Sequence, residues 1–288
     1  MKTLKVRGVT LGEGREKIIC SIMDPKIEDA LETMELVKKS RVDAIEYRGD
    51  WSEDVHDPAK MQDNVRRIRE RLGEFPILFT FRSVNEGGHL DLPAEEYITL
   101  TKAMIDSGCL DLVDIEYWIG DERVKELIDY ARAKNVYSVY TYHNFKDTPS
   151  VEWICNYIAH GRELGADIQK CATMATSKKD LLRLLTATEM MTSGEDDGLV
   201  LTMAMGGDGM LSRLTGEIFG SCLTFCSLKA ASAPGQVDCD SAYTIMQTLH
   251  ECISKTADDF RNEKASGCSA RFYLVIICAS TLRRGGYR

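Results

Sequence analysis

From Lys17 onward, short apolar, β-branched runs alternate with longer stretches whose apolar residues recur at helical spacing. The alternation repeats about every 25 to 35 residues, the size of one strand-plus-helix unit. The runs predict eight strands: IICSIM from Ile18, AIEYR from Ala44, PILFTFR from Pro76, LVDIEY from Leu112, YSVYTYHNF from Tyr137, ADIQKCATM from Ala166, GLVLTMAM from Gly198 and SCLTFCSL from Ser221. The intervening stretches predict helices over 25–39, 59–72, 94–107, 121–133, 151–164, 177–191, 210–219 and 241–252. In the first, Asp24 is placed as N-cap and Pro25 at the first helical position, with Ile27, Ala30, Leu31, Met34 and Val37 on one face.

Eight strands, each followed by a helix, predict an α/β fold, a (β/α)8 TIM barrel, because right-handed crossovers leave few other ways to wind so regular an alternation. Upstream, Leu4 to Val9 and the glycine-rich Gly12, Glu13, Gly14 predict an N-terminal β-hairpin with its turn at the glycines, closing one end of the barrel. An open doubly wound sheet is the rival topology, but its GxGxxG fingerprint is missing. Gly206, Gly207, Asp208, Gly209 follows a strand without that spacing and reads as a tight βα turn, with phosphate binding as the lesser reading.

A barrel carries its chemistry at the C-terminal strand ends, so the polar residues there matter most. Strand one offers Ser21, strand two Glu46 and Arg48, and strand three Arg82, with Glu86 in the loop beyond. Strand four offers Asp114 and Glu116, strand five His143 and strand six Lys170. Period-two alternation puts Glu46 with Arg48, Thr141 with His143 and Ile168 with Lys170 on common faces that can point inward. Each residue alone has an ordinary explanation: a lysine snorkelling from a strand end, a satisfied core histidine, a plain Arg–Glu pair. Their coincidence at consecutive strand ends argues for a site.

Lys170 and His143 fall on neighbouring strands. A desolvated lysine favours the neutral, nucleophilic amine, which condenses with a ketone to an iminium ion and so acidifies the adjacent C–H; an imidazole suits that proton transfer. Neighbouring arginines would hold an anionic substrate. The residues alone thus reach a Schiff-base lyase, isomerase or aldolase on a small oxygenated acid.

Composition narrows the partners. With 36 Lys and Arg against 45 Asp and Glu, the net charge of -9 argues against a nucleic-acid or anionic-membrane surface. The 10 cysteines contain no CxxC pair and no Cys/His spacing of a zinc site, so no metal is expected. The N-terminus has no apolar signal region and no run reaches the length of a membrane span, which makes a cytoplasmic protein the expectation.

The segments EYRGD from Glu46, FRSVNEGG from Phe81, YHNF from Tyr142, ADIQKCA from Ala166, MGGDGMLSR from Met205 and APGQV from Ala233 carry a resemblance. Over about Leu4 to Cys252 the chain resembles a type I 3-dehydroquinate dehydratase. The resemblance implies dehydration of 3-dehydroquinate to 3-dehydroshikimate in the shikimate pathway to aromatic amino acids, by a cofactor-free homodimer. It implies that Lys170 forms the imine with the substrate ketone. His143 helps make and break that imine, takes the adjacent proton and protonates the departing hydroxyl, while Glu86 orients the histidine. Arg213 resembles the clamp on the substrate carboxylate; Glu46, Arg48 and Arg82 resemble the holders of the ring hydroxyls, with Ser21 at the pocket edge. Met203 and Phe225 resemble apolar walls, and Ser232 and Gln236, in the loop Ala230 to Val237, match residues that close over the substrate.

Two other readings stay open: a class I aldolase-like Schiff-base enzyme on another small keto acid, and a non-catalytic metabolite-binding barrel. Arg213 and the Ser232 to Gln236 loop speak against the first. The presence of Lys170, His143 and Glu86 speaks against the second. Domain organisation is read as one catalytic barrel over 1–252 and a C-terminal extension, 253–288, of unassigned role and poor order, in which Phe272 to Ala279 suits an extra strand and Arg284 to Arg288 is basic.

Overall fold

A computed structural model describes residues 2–194 and 198–265. The chain opens with two short antiparallel strands, β1 (Leu4–Val6) and β2 (Val9–Leu11), paired Leu4 to Leu11 and Val6 to Val9. The turn is therefore Arg7-Gly8, not the predicted glycines, and Arg7 takes a left-handed φ of 51°. Its guanidinium ties the turn to the barrel base through Asp111 (2.5 Å) and Glu74 (2.9 Å). Gly12 (φ 81°) and Gly14 (φ 64°) instead turn the chain from β2 into the barrel.

Eight parallel strands follow: β3 (Lys17–Ile22), β4 (Ala44–Arg48), β5 (Ile77–Thr80), β6 (Leu112–Glu116), β7 (Tyr137–Asn144), β8 (Ile168–Met174), β9 (Leu199–Met205) and β10 (Leu223–Cys226). They pair in the order β10-β3-β4-β5-β6-β7-β8-β9, and a parallel bridge from Val200 to Ser221 brings β9 beside the approach to β10, so the barrel is nearly closed. All eight match runs predicted from the sequence.

The barrel interior has two levels. Ile19, Ala44, Leu78, Leu112, Val139, Ile168, Leu199 and Leu223 fill the N-terminal end and pack with Val6 and Leu11 of the hairpin, which plugs that end. Two residues further along the inward-facing rows of β3 to β8 the side chains turn polar (Ser21, Glu46, Thr80, Asp114, Thr141, Lys170), whereas on β9 and β10 they stay apolar (Leu201, Phe225). Outward-facing residues such as Ile45, Phe79, Ile115 and Cys171 pack against the helices in a separate, larger core.

The helices are α1 (Ile27–Val37), α2 (Pro58–Leu72), α3 (Ala94–Asp106), α4 (Asp121–Ala133), α5 (Val151–Glu163), α6 (Lys178–Met190), α7 (Gly216–Phe219) and α8 (Cys239–Ala265). Three differ from expectation. The first starts at Ile27 because Asp24 does not cap it: its carboxylate receives Thr33 Oγ1 (2.7 Å) and Lys229 Nζ (2.7 Å). The seventh is mostly a 3-10 turn, Gly207–Arg213, ahead of the four residues of α7. Ser212 Oγ locks this turn by donating to Gly209 O (2.7 Å) and accepting from Ala204 N (2.8 Å). The eighth runs through the expected boundary at Cys252 to Ala265. The barrel forms one compact unit, Met1–Gln247, which includes the first turns of α8; a second unit starts at Thr248. The strand suggested at 272–279 and the basic end lie outside the described residues.

Candidate active site

At the C-terminal mouth a cavity of about 410 Å³, counted to its open rim, is lined by Glu46, Arg48, Arg82, Glu86, His143 and Lys170, and by Met203, Arg213, Phe225, Ser232 and Gln236. Ser21 stands just behind this lining, donating to Glu46 Oε2 (2.5 Å) and lying 3.0 Å from Ser232 Oγ. The structure thus brings all twelve residues singled out in the sequence to one end of the barrel.

Strand register explains the placement. Lys170 is level with Thr141 on β7, so His143, two residues on, points inward one level nearer the mouth. Lys170 is buried, and its Nζ faces Asp114 Oδ2 (3.5 Å), Glu46 Oε1 (4.0 Å) and the Phe225 ring (4.4 Å to its centre). Burial pushes its amine below the ordinary lysine value; Asp114 opposes the shift and Arg82 adds to it. His143 Nδ1 lies 2.9 Å from Glu86 Oε2. Burial, then Arg82 and Lys170, hold the imidazole well below its usual value, and burial with Glu116 lifts the Glu86 carboxyl well above its own. The 2.9 Å contact is a hydrogen bond that orients the imidazole, with one proton lying between Nδ1 and Oε2.

Glu86 is the last residue of a short 3-10 turn, Val84–Glu86, capped by Gly87 in the left-handed region (φ 82°). A Cβ at Gly87 would lie 2.3 Å from the Phe145 ring, which itself stacks beside His143 at 6.2 Å. Glycine is required here by both conformation and space.

Charge pairing inside the pocket is uneven. Arg48 makes two bonds to Asp50 (2.8 and 2.7 Å), whose carboxylate also receives the backbone N–H of Arg82 (3.3 Å) and His89 (3.0 Å). Arg82 meets Glu116 (2.6 Å), Asp114 (2.7 Å) and Glu86 (3.4 Å). Arg213, fully buried, has only weak neutral acceptors: Met203 Sδ at 3.4 Å and Pro234 O at 3.3 Å, while its Nε has no partner. Among the described residues no carboxylate reaches it, and burial lowers its guanidinium to about 10. A desolvated, unpaired guanidinium at a pocket wall is a receptor for an anion.

The loop after β10 lies over the mouth. Ser232 and Gln236 bind each other twice, Ser232 N to Gln236 Oε1 (2.9 Å) and Gln236 Nε2 to Ser232 Oγ (2.8 Å). Its neck is clasped by Ser227 N to Val237 O (2.9 Å), and Gly206 N reaches Pro234 O (3.3 Å). The turn read as a possible phosphate loop therefore supports this loop and carries Arg213.

Sequence reasoning placed Asp114 and Glu116 among the strand-end candidates without a role and missed Asp50; the three are the counter-ions of the pocket arginines. Asp114 and Glu116 share the inward row of β6 with Leu112, and Asp50 stands two residues beyond Arg48. Alternation was enough to place the first two, but not to name their partners. Phe145, Ala172 and Met205 also line the cavity.

This fold and this pocket are those of a (β/α)8-barrel enzyme. A family model described as type I 3-dehydroquinase matches residues 18–252. The 3-dehydroquinate dehydratase of Salmonella agona is 41% identical over 251 residues, 87% of this chain and 100% of that protein. Two solved structures agree: the type I 3-dehydroquinate dehydratase of Clostridium difficile with covalently modified comenic acid (TM-score 0.84, 37% identity, 87% of this chain and 99% of that one) and the 3-dehydroquinate dehydratase of Geobacillus kaustophilus (TM-score 0.83, 35% identity, 87% and 97%). The chain belongs to the type I 3-dehydroquinase family, and its enzyme class is that of the hydro-lyases.

Proposed function

We propose that the protein dehydrates 3-dehydroquinate to 3-dehydroshikimate through an imine on Lys170, as a step of the shikimate pathway. The observation that carries this reading is the pairing of a desolvated lysine with the His143–Glu86 couple in a pocket whose one unpaired cation is Arg213, counted among the described residues. Arg213 takes the substrate carboxylate, which replaces the ion pair it lacks. Glu46, Arg48 and Arg82, with Ser21 behind them, hold the ring hydroxyls, and Met203 and Phe225 wall the ring. Ser232 and Gln236 close the mouth and exclude water.

The neutral Lys170 amine adds to the ketone carbon, and loss of water leaves an iminium ion whose nitrogen withdraws electrons from the adjacent C–H bond. His143, uncharged and steered by Glu86, accepts that proton and returns it to the departing hydroxyl. Hydrolysis of the imine frees the product and the lysine. The family resemblance adds a cytoplasmic homodimer; among the described residues no helix is long and apolar enough to cross a membrane.

Borohydride reduction in the presence of 3-dehydroquinate tests the reading. A mass gain on the Lys170 peptide is expected, absent in Lys170→Ala, whose turnover falls on the order of 10³-fold or more. Native protein unchanged in mass, or a Lys170→Ala variant that still turns over, sinks the imine mechanism. Turnover unaltered by a chelator is the companion expectation.

A further inference from the structure

An imine carries its positive charge on nitrogen, so the groups facing Lys170 Nζ decide how that charge is borne. Two carboxylates face it, and they are not equivalent. Glu46 lines the cavity, and each of its oxygens already receives a hydroxyl, Ser21 at Oε2 (2.5 Å) and Thr80 at Oε1 (2.8 Å). Asp114 lies nearer, its side chain wholly without solvent exposure and outside the cavity lining, out of reach of a substrate hydroxyl. Its Oδ2 is held by Arg82 Nη2 (2.7 Å) and Thr141 Oγ1 (2.8 Å), and the same oxygen is 3.5 Å from Lys170 Nζ, while Oδ1 has no hydrogen-bond partner. Of the groups that change during an imine reaction, the one Asp114 touches is the lysine nitrogen.

We propose that Asp114 is a catalytic residue of this pocket, the fixed buried counter-ion of the Lys170 iminium; this rests on the imine reading above. The nitrogen adds its electron pair to the ketone carbon and passes one proton to the resulting oxygen. That oxygen takes a second proton, relayed from solvent through His143, and leaves as water, and the remaining nitrogen lone pair completes the C=N bond, leaving one N–H and one positive charge on Nζ. A carboxylate already oriented by Arg82 and Thr141 stabilises that charge without reorganising.

The same carboxylate works against the free enzyme. The groups around Nζ are Asp114 from β6, Glu46 and Arg48 from β4, Arg82 beyond β5 and the Phe225 ring from β10, with His143 and Glu86 above. The carboxylates favour the ammonium form and the arginines the amine. Removing the charge of Asp114 therefore makes the free lysine more reactive and the iminium less stable. A residue with a purely structural role would lower both together.

The test compares native protein with Asp114→Asn in two assays. Acetylation of Lys170 by a soluble succinimidyl acetate, followed peptide by peptide across pH, needs no substrate. The midpoint is expected to fall by about one pH unit or more, giving roughly tenfold faster acetylation near neutrality. Turnover of 3-dehydroquinate and the fraction trapped by borohydride are expected to fall at least about tenfold. Acetylation and turnover that stay unchanged, or move in the same direction, overturn the proposal. If the Asn variant does not fold, Thr141→Val decides: it strips one donor from Oδ2, leaves the charge less shared and moves the acetylation midpoint up, and an unmoved midpoint overturns the proposal equally. Native protein that traps no imine would sink the functional reading instead, whereas a native imine with an unshifted Asp114→Asn titration sinks this proposal alone.

Discussion

Glu16 has no place in the chemistry proposed above, yet it is among the most perturbed carboxyl groups of the barrel. It is buried, accepts Gly216 N at 3.1 Å with Oε2, and leaves Oε1 without a partner. Burial raises it well above the ordinary 4.5, against the pull of its hydrogen bonds and of Arg213. A carboxyl raised on folding contributes stability that is fully present below its unfolded value and is lost as pH rises through its folded value. Glu16→Gln, which keeps an acceptor for Gly216, is expected to leave the melting temperature nearly unchanged at pH 4 and to raise it at pH 8. Calorimetry giving the same shift at both pH values removes titration of Glu16 as the cause. At this scale the inward residues of the strands were legible, because alternation carries Glu46, Arg48, His143 and Lys170 to one face whatever the details of packing. The isolation of Arg213 and the pairing of Arg82 with three carboxylates were not, since both are facts about groups from separate strands and loops.

Element boundaries depended on partners that local signals do not name. The dipeptide Asp-Pro occurs before both α1 and α2. Before α2, Asp57 accepts from Ala59 N (3.1 Å) and Lys60 N (3.2 Å), so the helix starts at Pro58. Before α1, Thr33 and Lys229 occupy the carboxylate of Asp24, and the first turn is lost. Identical caps on paper thus gave different starts. The segment after β5 shows the reverse case, where one residue type is dictated by its surroundings: Gly87 combines a φ of 82° with a Cβ position 2.3 Å from Phe145. Gly87→Ala is expected to cost about 1–2 kcal/mol in backbone strain. It is also expected to shift Glu86 away from His143, lowering kcat by up to about 10²-fold. Denaturant titration and steady-state kinetics check the two parts, and a variant with native kcat would show that the Glu86 loop tolerates the displacement.

At the scale of the whole molecule the barrel was legible, because eight apolar runs at a regular period admit little else. The hairpin plug was legible too, although its turn was misplaced by a residue, Arg7, that adopts a conformation usually left to glycine and is held there by Asp111 and Glu74. What lies past the barrel is a different matter. The family match ends at residue 252, and 251 aligned residues already cover all of the Salmonella agona relative, so nothing in these relatives corresponds to the extension. Every residue lining the pocket lies at or before Gln236, inside the unit Met1–Gln247. We therefore expect a chain truncated after Ser254 to remain soluble and to keep kcat and KM within about twofold of the full chain, the range of surface changes remote from any site. Steady-state kinetics on both forms reads the catalytic part. Sedimentation reads the assembly, with both forms expected at the mass of a homodimer. Aggregation, lost turnover or a monomer after truncation would make residues 255–288 a working part of the enzyme, with the dimer contact as the first place to look.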